Sequence, residues 1–209
     1  MTSPHVHLFM LVQRELNSHR IKSFFHVILD HSVKCYHVKS ASYPLSTSHY
    51  HANSLSPSTF NNVVMKDDFT PRTYQRTLMK EVRDRSSLLV LPTGLGKTII
   101  AAMLIDEVVE KDQTVLFVAP TKPLLEQHVD TIRDFIPRLE NVTRVSGSVS
   151  PEHRITRYQD NNVIVATPQT VRNDVEERRF DPSTVSLLIV DEAHRATGDY
   201  AYTALTRAY

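Results

Sequence analysis

One cysteine, Cys35, stands alone among 209 residues, so no disulfide can form within the chain, and this usage fits a reducing compartment. Excess charge is missing too. Twenty-four Lys/Arg face 23 Asp/Glu for a formal net charge of +1, so no global basic character argues for nucleic acid. The charge is unevenly spread, with +3 in residues 1–60 and −2 in residues 61–209. Long apolar runs are also absent. Leu8 to Val12 is too short to cross a membrane, and no charged segment precedes it as in a signal peptide, so a soluble, intracellular protein without membrane partners is expected. No internal repeat is visible. The length suffices for one substantial α/β domain and little more.

Glycine is scarce: the chain has four, and residues 1–64 have none. That first stretch differs from the rest. It holds eight of the 11 histidines, including the pairs His5/His7 and His49/His51, together with many serines. Such pairs can ligate transition metals, but the spacing is irregular and carboxylates are sparse, which favours a plain polar extension. Residues 1–64 are expected to be poorly ordered, with Ser54 to Asn62 as a linker. Translation starting at Met65 would make them an extension or a mis-called start. The ordered domain is expected over residues 65–209.

Two of the four glycines fall in Leu91-Pro92-Thr93-Gly94-Leu95-Gly96-Lys97-Thr98. Glycines let backbone N–H groups cradle phosphates, Lys97 can reach the terminal phosphates, and the Thr98 hydroxyl can ligate Mg²⁺. Leu91 stands where the usual pattern has its first glycine. The context is right: Ser87 to Leu91 reads as a buried strand, and Thr98 onward keeps a helical apolar stripe. Ninety-four positions after Lys97, the apolar run Val185 to Val190 delivers Asp191-Glu192-Ala193-His194. Carboxylates at a strand's carboxyl end divide the labour, Asp191 holding the metal and Glu192 positioning and deprotonating the attacking water.

Candidate strands at 87–91, 114–119, 142–146, 163–166 and 185–190 alternate with helical stretches near 71–84, 98–111, 122–136, 151–160 and 168–178. This alternation predicts a parallel sheet covered on both faces. Thr70-Pro71, Ser150-Pro151 and Thr167-Pro168 read as hydroxyl N-caps followed by proline at the first helical position. Free N–H groups at such helix starts can hold a nucleic-acid backbone, although good capping alone also explains them. Gln75, 22 residues before Lys97, offers an amide for an adenine edge, with Tyr74 or Arg72 to pack on the ring.

Taken together, Gln75, Leu91–Thr98, Ala119–His128, Val145–Gly147 with Pro151 and Arg154, Ala166–Thr170 and Asp191–Tyr202 resemble the first RecA-like domain of a superfamily 2 helicase. The wording is closest to the archaeal Hef and Fanconi anaemia group M helicases, and the resemblance covers about residues 68–209. It implies a P-loop NTPase fold with ATP and Mg²⁺ as cofactors, and a role in repair of branched or stalled replication DNA. Gln75 would recognise adenine, and Thr93, Gly94, Leu95, Gly96, Lys97 and Thr98 would form the ATP loop. Lys97 and Glu192 would be catalytic, Thr98 and Asp191 would hold the metal, and His194 would couple the nucleotide site to DNA. Pro120, Thr121, Lys122, Gly147, Thr167 and Pro168 would line the single-strand backbone path.

The departure is at the end, where the sequence stops 15 residues after His194. The Ser-Ala-Thr motif and the second RecA-like domain are not in it. By analogy the Ser-Ala-Thr strand lies between the phosphate-loop strand and 185–190, so a gap in mid-sheet and a domain incomplete at its C-terminus are expected. Arginines from the second domain are worth ~10³–10⁵ in turnover for this kind of reaction, so the chain alone is expected not to unwind DNA. An RNA-directed motor of the same superfamily and a non-catalytic nucleotide-binding fragment are the other readings.

Overall fold

The computed structural model describes residues 7–14, 34–37, 69–83, 87–92 and 94–193. In chain order the elements are β1 (His7–Arg14), β2 (Lys34–His37), α1 (Thr73–Val82), β3 (Ser87–Pro92), α2 (Lys97–Val109), β4 (Thr114–Val118), α3 (Lys122–Phe135), β5 (Val142–Val145), α4 (Pro151–Asp160), β6 (Val163–Ala166), α5 (Pro168–Glu176) and β7 (Val185–Asp191), with a short 3₁₀ turn at Pro182–Thr184. They build one sheet of order β2-β3-β1-β7-β4-β6-β5.

Alternation of side chains along each strand explains why both faces are apolar. Val115 and Phe117 of β4, Val163 and Val165 of β6, and Leu187 and Ile189 of β7 face α1, α2 and α3. Their neighbours Leu116, Val118, Ile164, Ala166 and Val190 face the opposite way, against Val171, Tyr158 and Phe180. Helix α2 is buried on most of its circumference, with Ile100 to Ile105 all below 5% exposed. The helix is therefore enclosed well beyond the stripe expected from sequence, and Asp106 goes inside with it, held by Arg138 at 2.7 Å.

Pairing is parallel throughout β2-β3, β7-β4, β4-β6 and β6-β5. The exception is β1. It runs antiparallel to both neighbours, with Phe9 opposite Val90 on one side and Leu11 opposite Val190 on the other. The gap expected between the phosphate-loop strand and the Asp-Glu strand is thus filled, and by residues 7–14. Residues 7–14 and 34–37, which lie in the stretch expected to be an extension, pair as strands of this sheet. The Leu8–Val12 run is the kind of sequence a central strand needs.

Proline sets three helix starts, at the first or second position of α3, α4 and α5. Ser150 and Thr167 do occupy the N-cap positions, but neither hydroxyl makes the capping hydrogen bond. Thr167 turns its hydroxyl to that of Thr170 at 2.7 Å instead. Thr70-Pro71 is not a helix start: α1 begins at Thr73, where the Arg72 N–H donates to Gln75 Oε1 at 2.8 Å. Gln75 thereby satisfies a donor that the threonine was expected to cap.

Candidate nucleotide and strand-binding site

The sheet delivers its chemistry to one edge, the carboxyl ends of β3, β7, β4, β6 and β5. After β3 the chain turns through Gly94 at φ 82° and Gly96 at φ 73°, and Gly96 is the N-cap of α2. A side chain at Gly96 would meet Gln75 Nε2 at 2.5 Å, so the loop needs glycine there for space as well as for backbone angle. The first-turn N–H groups of α2 follow directly, an arrangement that suits an anion.

Lys97 opens α2 and is buried, at 7% exposure. Burial lowers its pKa from the ordinary lysine value, while Asp191 and then Glu192 pull it back up. Its ammonium reaches the Leu91 carbonyl at 3.5 Å, the long limit of a hydrogen bond. A desolvated cation with so weak a contact is stabilised by any anion that enters the loop.

On the neighbouring side β7 ends at Asp191, 5% exposed. Glu192 then adopts φ 53°, left-handed backbone that costs a non-glycine residue on the order of 1–3 kcal/mol. The turn carries the chain away just as the two carboxylates reach the edge. Asp191 Oδ2 lies 2.9 Å from Nε2 of His128, a residue of α3. Sequence reasoning had taken His128 only as part of a motif; no local pattern signals a contact 63 positions away.

Gln75 is 3% exposed and is turned toward the phosphate loop: its Nε2 donates to the Leu95 carbonyl at 3.3 Å. The Tyr74 hydroxyl donates to the same carbonyl at 2.6 Å. The two side chains clasp the loop to α1. An amide has two N–H groups and two lone pairs, so these bonds leave one of each for a base edge.

Pro120, Thr121 and Lys122 follow β4, Thr167 and Pro168 follow β6, and Gly147 follows β5, on three adjacent strands. Thr121, Lys122 and Gly147 are exposed, Pro120 and Thr167 half-buried, and Pro168 buried. The row continues directly from Asp191 along the same edge. Behind it lies a cluster that the sequence did not reveal. Arg154 of α4 donates to both oxygens of Asp174 of α5, at 2.7 and 2.8 Å. Arg179 and the Tyr158 hydroxyl add bonds of 2.7 and 2.9 Å, and Arg154 also donates to the Val149 carbonyl. The helix starts after Gly147 and Thr167 are thereby fixed relative to one another.

Thr93 and His194 lie outside the described residues. Among the described residues no three His, Cys, Asp or Glu side chains gather to hold a metal, and no helix is long and apolar enough to cross a membrane.

Residues 68–209 match the family described as "Type III restriction enzyme, res subunit". The ATP-dependent DNA helicase mph1 of Sclerotinia sclerotiorum is 41% identical over 140 residues, which are 65% of this chain and 11% of that protein. The chain thus spans a small part of such relatives' length, 14% for the MPH1 of Pyricularia oryzae. The Pyrococcus furiosus Hef helicase domain superposes with a TM-score of 0.60 at 40% identity, covering 66% of this chain and 30% of that one. The UvsW helicase of bacteriophage T4 gives 0.52 at 25% identity, covering 67% and 49%. With the match running over well more than half of its residues, the chain belongs to this ResIII family, as the first RecA-like domain of a superfamily 2, Hef-like helicase.

Proposed function

We propose that this chain is the ATP-binding domain of an ATP-dependent DNA helicase or translocase, acting on branched or stalled replication DNA. The observation that carries the reading is the shared edge: Lys97, Asp191 and Glu192 converge there, and three exposed or half-buried strand ends continue the row. Relatives named as ATP-dependent DNA helicases favour DNA over RNA.

In this reading the N–H groups of Gly94 to Thr98 and the Lys97 ammonium bind the β- and γ-phosphates. Gln75 holds adenine with the donor and acceptor left over from its loop contacts, and Thr93 belongs to the same site. The donor set of Thr98 hydroxyl and Asp191 carboxylate suits Mg²⁺, which takes one or two protein oxygens plus phosphates and water. Bound there, Mg²⁺ would neutralise charge on the transferring phosphoryl group. Glu192 orients the attacking water and accepts its proton. His194 couples the site to DNA, and Pro120, Thr121, Lys122, Gly147, Thr167 and Pro168 contact the single-strand backbone.

The test is titration of the chain with a fluorescent ATP analogue beside Lys97→Ala. Truncating a buried charge that pairs with phosphate costs about 2 kcal/mol or more, roughly a 30-fold weaker affinity. Equal affinity for the two proteins would refute the assignment.

A further inference from the structure

His128 has a place in the site that its position on α3 does not announce. Its imidazole is 5% exposed and packs against Phe117, ring centroids 4.5 Å apart and planes at 40°. Nε2 is 2.9 Å from Asp191 Oδ2, and because a carboxylate only accepts, this nitrogen carries the proton. The other ring nitrogen, Nδ1, is buried with no hydrogen-bond partner. An unpartnered buried nitrogen carries an uncompensated desolvation cost. A residue placed for packing alone would be phenylalanine or leucine and carry no such cost, so the imidazole is held for what Nε2 does.

We propose that His128 is the positioning residue for Asp191 and that it ties the start of α3 to the metal side of the nucleotide site. This rests on the ATP and DNA reading above. Gripping Oδ2 limits how the carboxylate can turn, as outer partners orient metal-binding ligands. The grip has a handle. Helix α3 starts at Thr121-Lys122, both exposed on the strand-binding edge, and His128 lies two turns along it, about 10 Å from Thr121. A helix is stiff over that length, so a backbone phosphate that pulls on Thr121-Lys122 moves the imidazole and, through it, Asp191. Contact with a single strand thereby changes how well Mg²⁺ and nucleotide bind together.

Three variants of the 209-residue chain test this. His128→Phe keeps the packing on Phe117 and removes the donor; His128→Met removes it with a more adaptable side chain; His128→Gln keeps an N–H. Each is first melted in urea, then titrated with a fluorescent ATP analogue in EDTA and across a Mg²⁺ series, with and without a dT oligonucleotide. In EDTA, H128F and H128M should bind nucleotide within about twofold of wild type. Their Mg²⁺ midpoint should rise by about 10–100-fold, the usual effect of losing an outer partner, and H128Q should recover most of it. The oligonucleotide should shift the Mg²⁺ midpoint of the wild type and leave H128F and H128M unmoved. A wild-type Mg²⁺ response in folded H128F or H128M, with Lys97-dependent binding intact, overturns the proposal alone. Loss of Lys97 dependence in the wild-type chain removes the ATP reading and the proposal with it.

Discussion

Single residues on the binding edge are held in two different ways, and the difference predicts how each responds to change. Gly94 and Gly96 both have positive φ, so a side chain at either costs about 1–2 kcal/mol in backbone conformation. At Gly94 nothing else lies within 4 Å. At Gly96 the new Cβ would strike Gln75 Nε2, and Gln75 is buried and bonded to Leu95 and Arg72, so it has nowhere to swing. Breaking those two bonds adds about 1 kcal/mol each. Gly94→Ala is therefore expected to lose about 1–2 kcal/mol in urea unfolding and Gly96→Ala about 3–4 kcal/mol. Equal losses would show that α1 does not clasp the loop. That Lys97, Asp191 and Glu192 come to one edge of the sheet was legible in the sequence because each follows a short buried apolar run. His128 and Asp174 were not, because their partners lie 63 and 20 positions away and no periodicity connects them.

Elements between residues 87 and 191 were legible almost to the residue, since short buried runs, prolines and helical periodicity agree there. Strand 163–166 and helix 151–160 coincide with β6 and α4, and the other strands and helices differ by one or two residues at an end. What holds α4 to α5 was invisible, and it makes a prediction about pH. Burial pushes the Asp174 carboxyl up, but hydrogen bonds from Arg154, Arg179 and Tyr158 outweigh it and set its pKa below the ordinary value. Burial drives the Tyr158 phenol well up, so it stays protonated as a donor. A depressed carboxyl stabilises the fold most when ionised, fully above its unfolded value near ~4, and the contribution fades as pH falls through the lower folded value. Asp174→Ala leaves two arginines facing an empty site and should cost about 3–5 kcal/mol at neutral pH. Asp174→Asn should show a gap to wild type that is constant from neutral pH down to about 5 and narrows below ~4, read as urea midpoints. A gap that widens on acidification would mean the carboxyl is not held ionised by these donors.

The molecule as a whole turns on two strands that sequence reasoning did not place. Alternation of strand and helix predicts a parallel sheet because each crossover is local, but β1 pairs with β7 across about 180 positions and in the opposite direction. No local pattern encodes that choice, and loop closure over such a distance is slow and costly. The consequence is specific. In the order β2-β3-β1-β7, the phosphate-loop strand β3 has β2 and β1 as its neighbours, and both lie before residue 65. Starting the chain at Met65 would strip β3 of six residue pairs with β1 and four with β2, and would open one edge of β7. An unpaired strand buried under α2 leaves amides and carbonyls without partners at about 1–3 kcal/mol each, which soon exceeds the ~5–15 kcal/mol net stability of a domain. The 65–209 fragment is therefore expected to lack a cooperative urea transition and Lys97-dependent nucleotide affinity, while the 209-residue chain has both. In the full chain, amide exchange should be as slow at Leu89 and Val90 as at Phe117 and Val118 in mid-sheet. A fragment that melts cooperatively and binds nucleotide as the whole chain does would return residues 1–64 to the role of a dispensable extension.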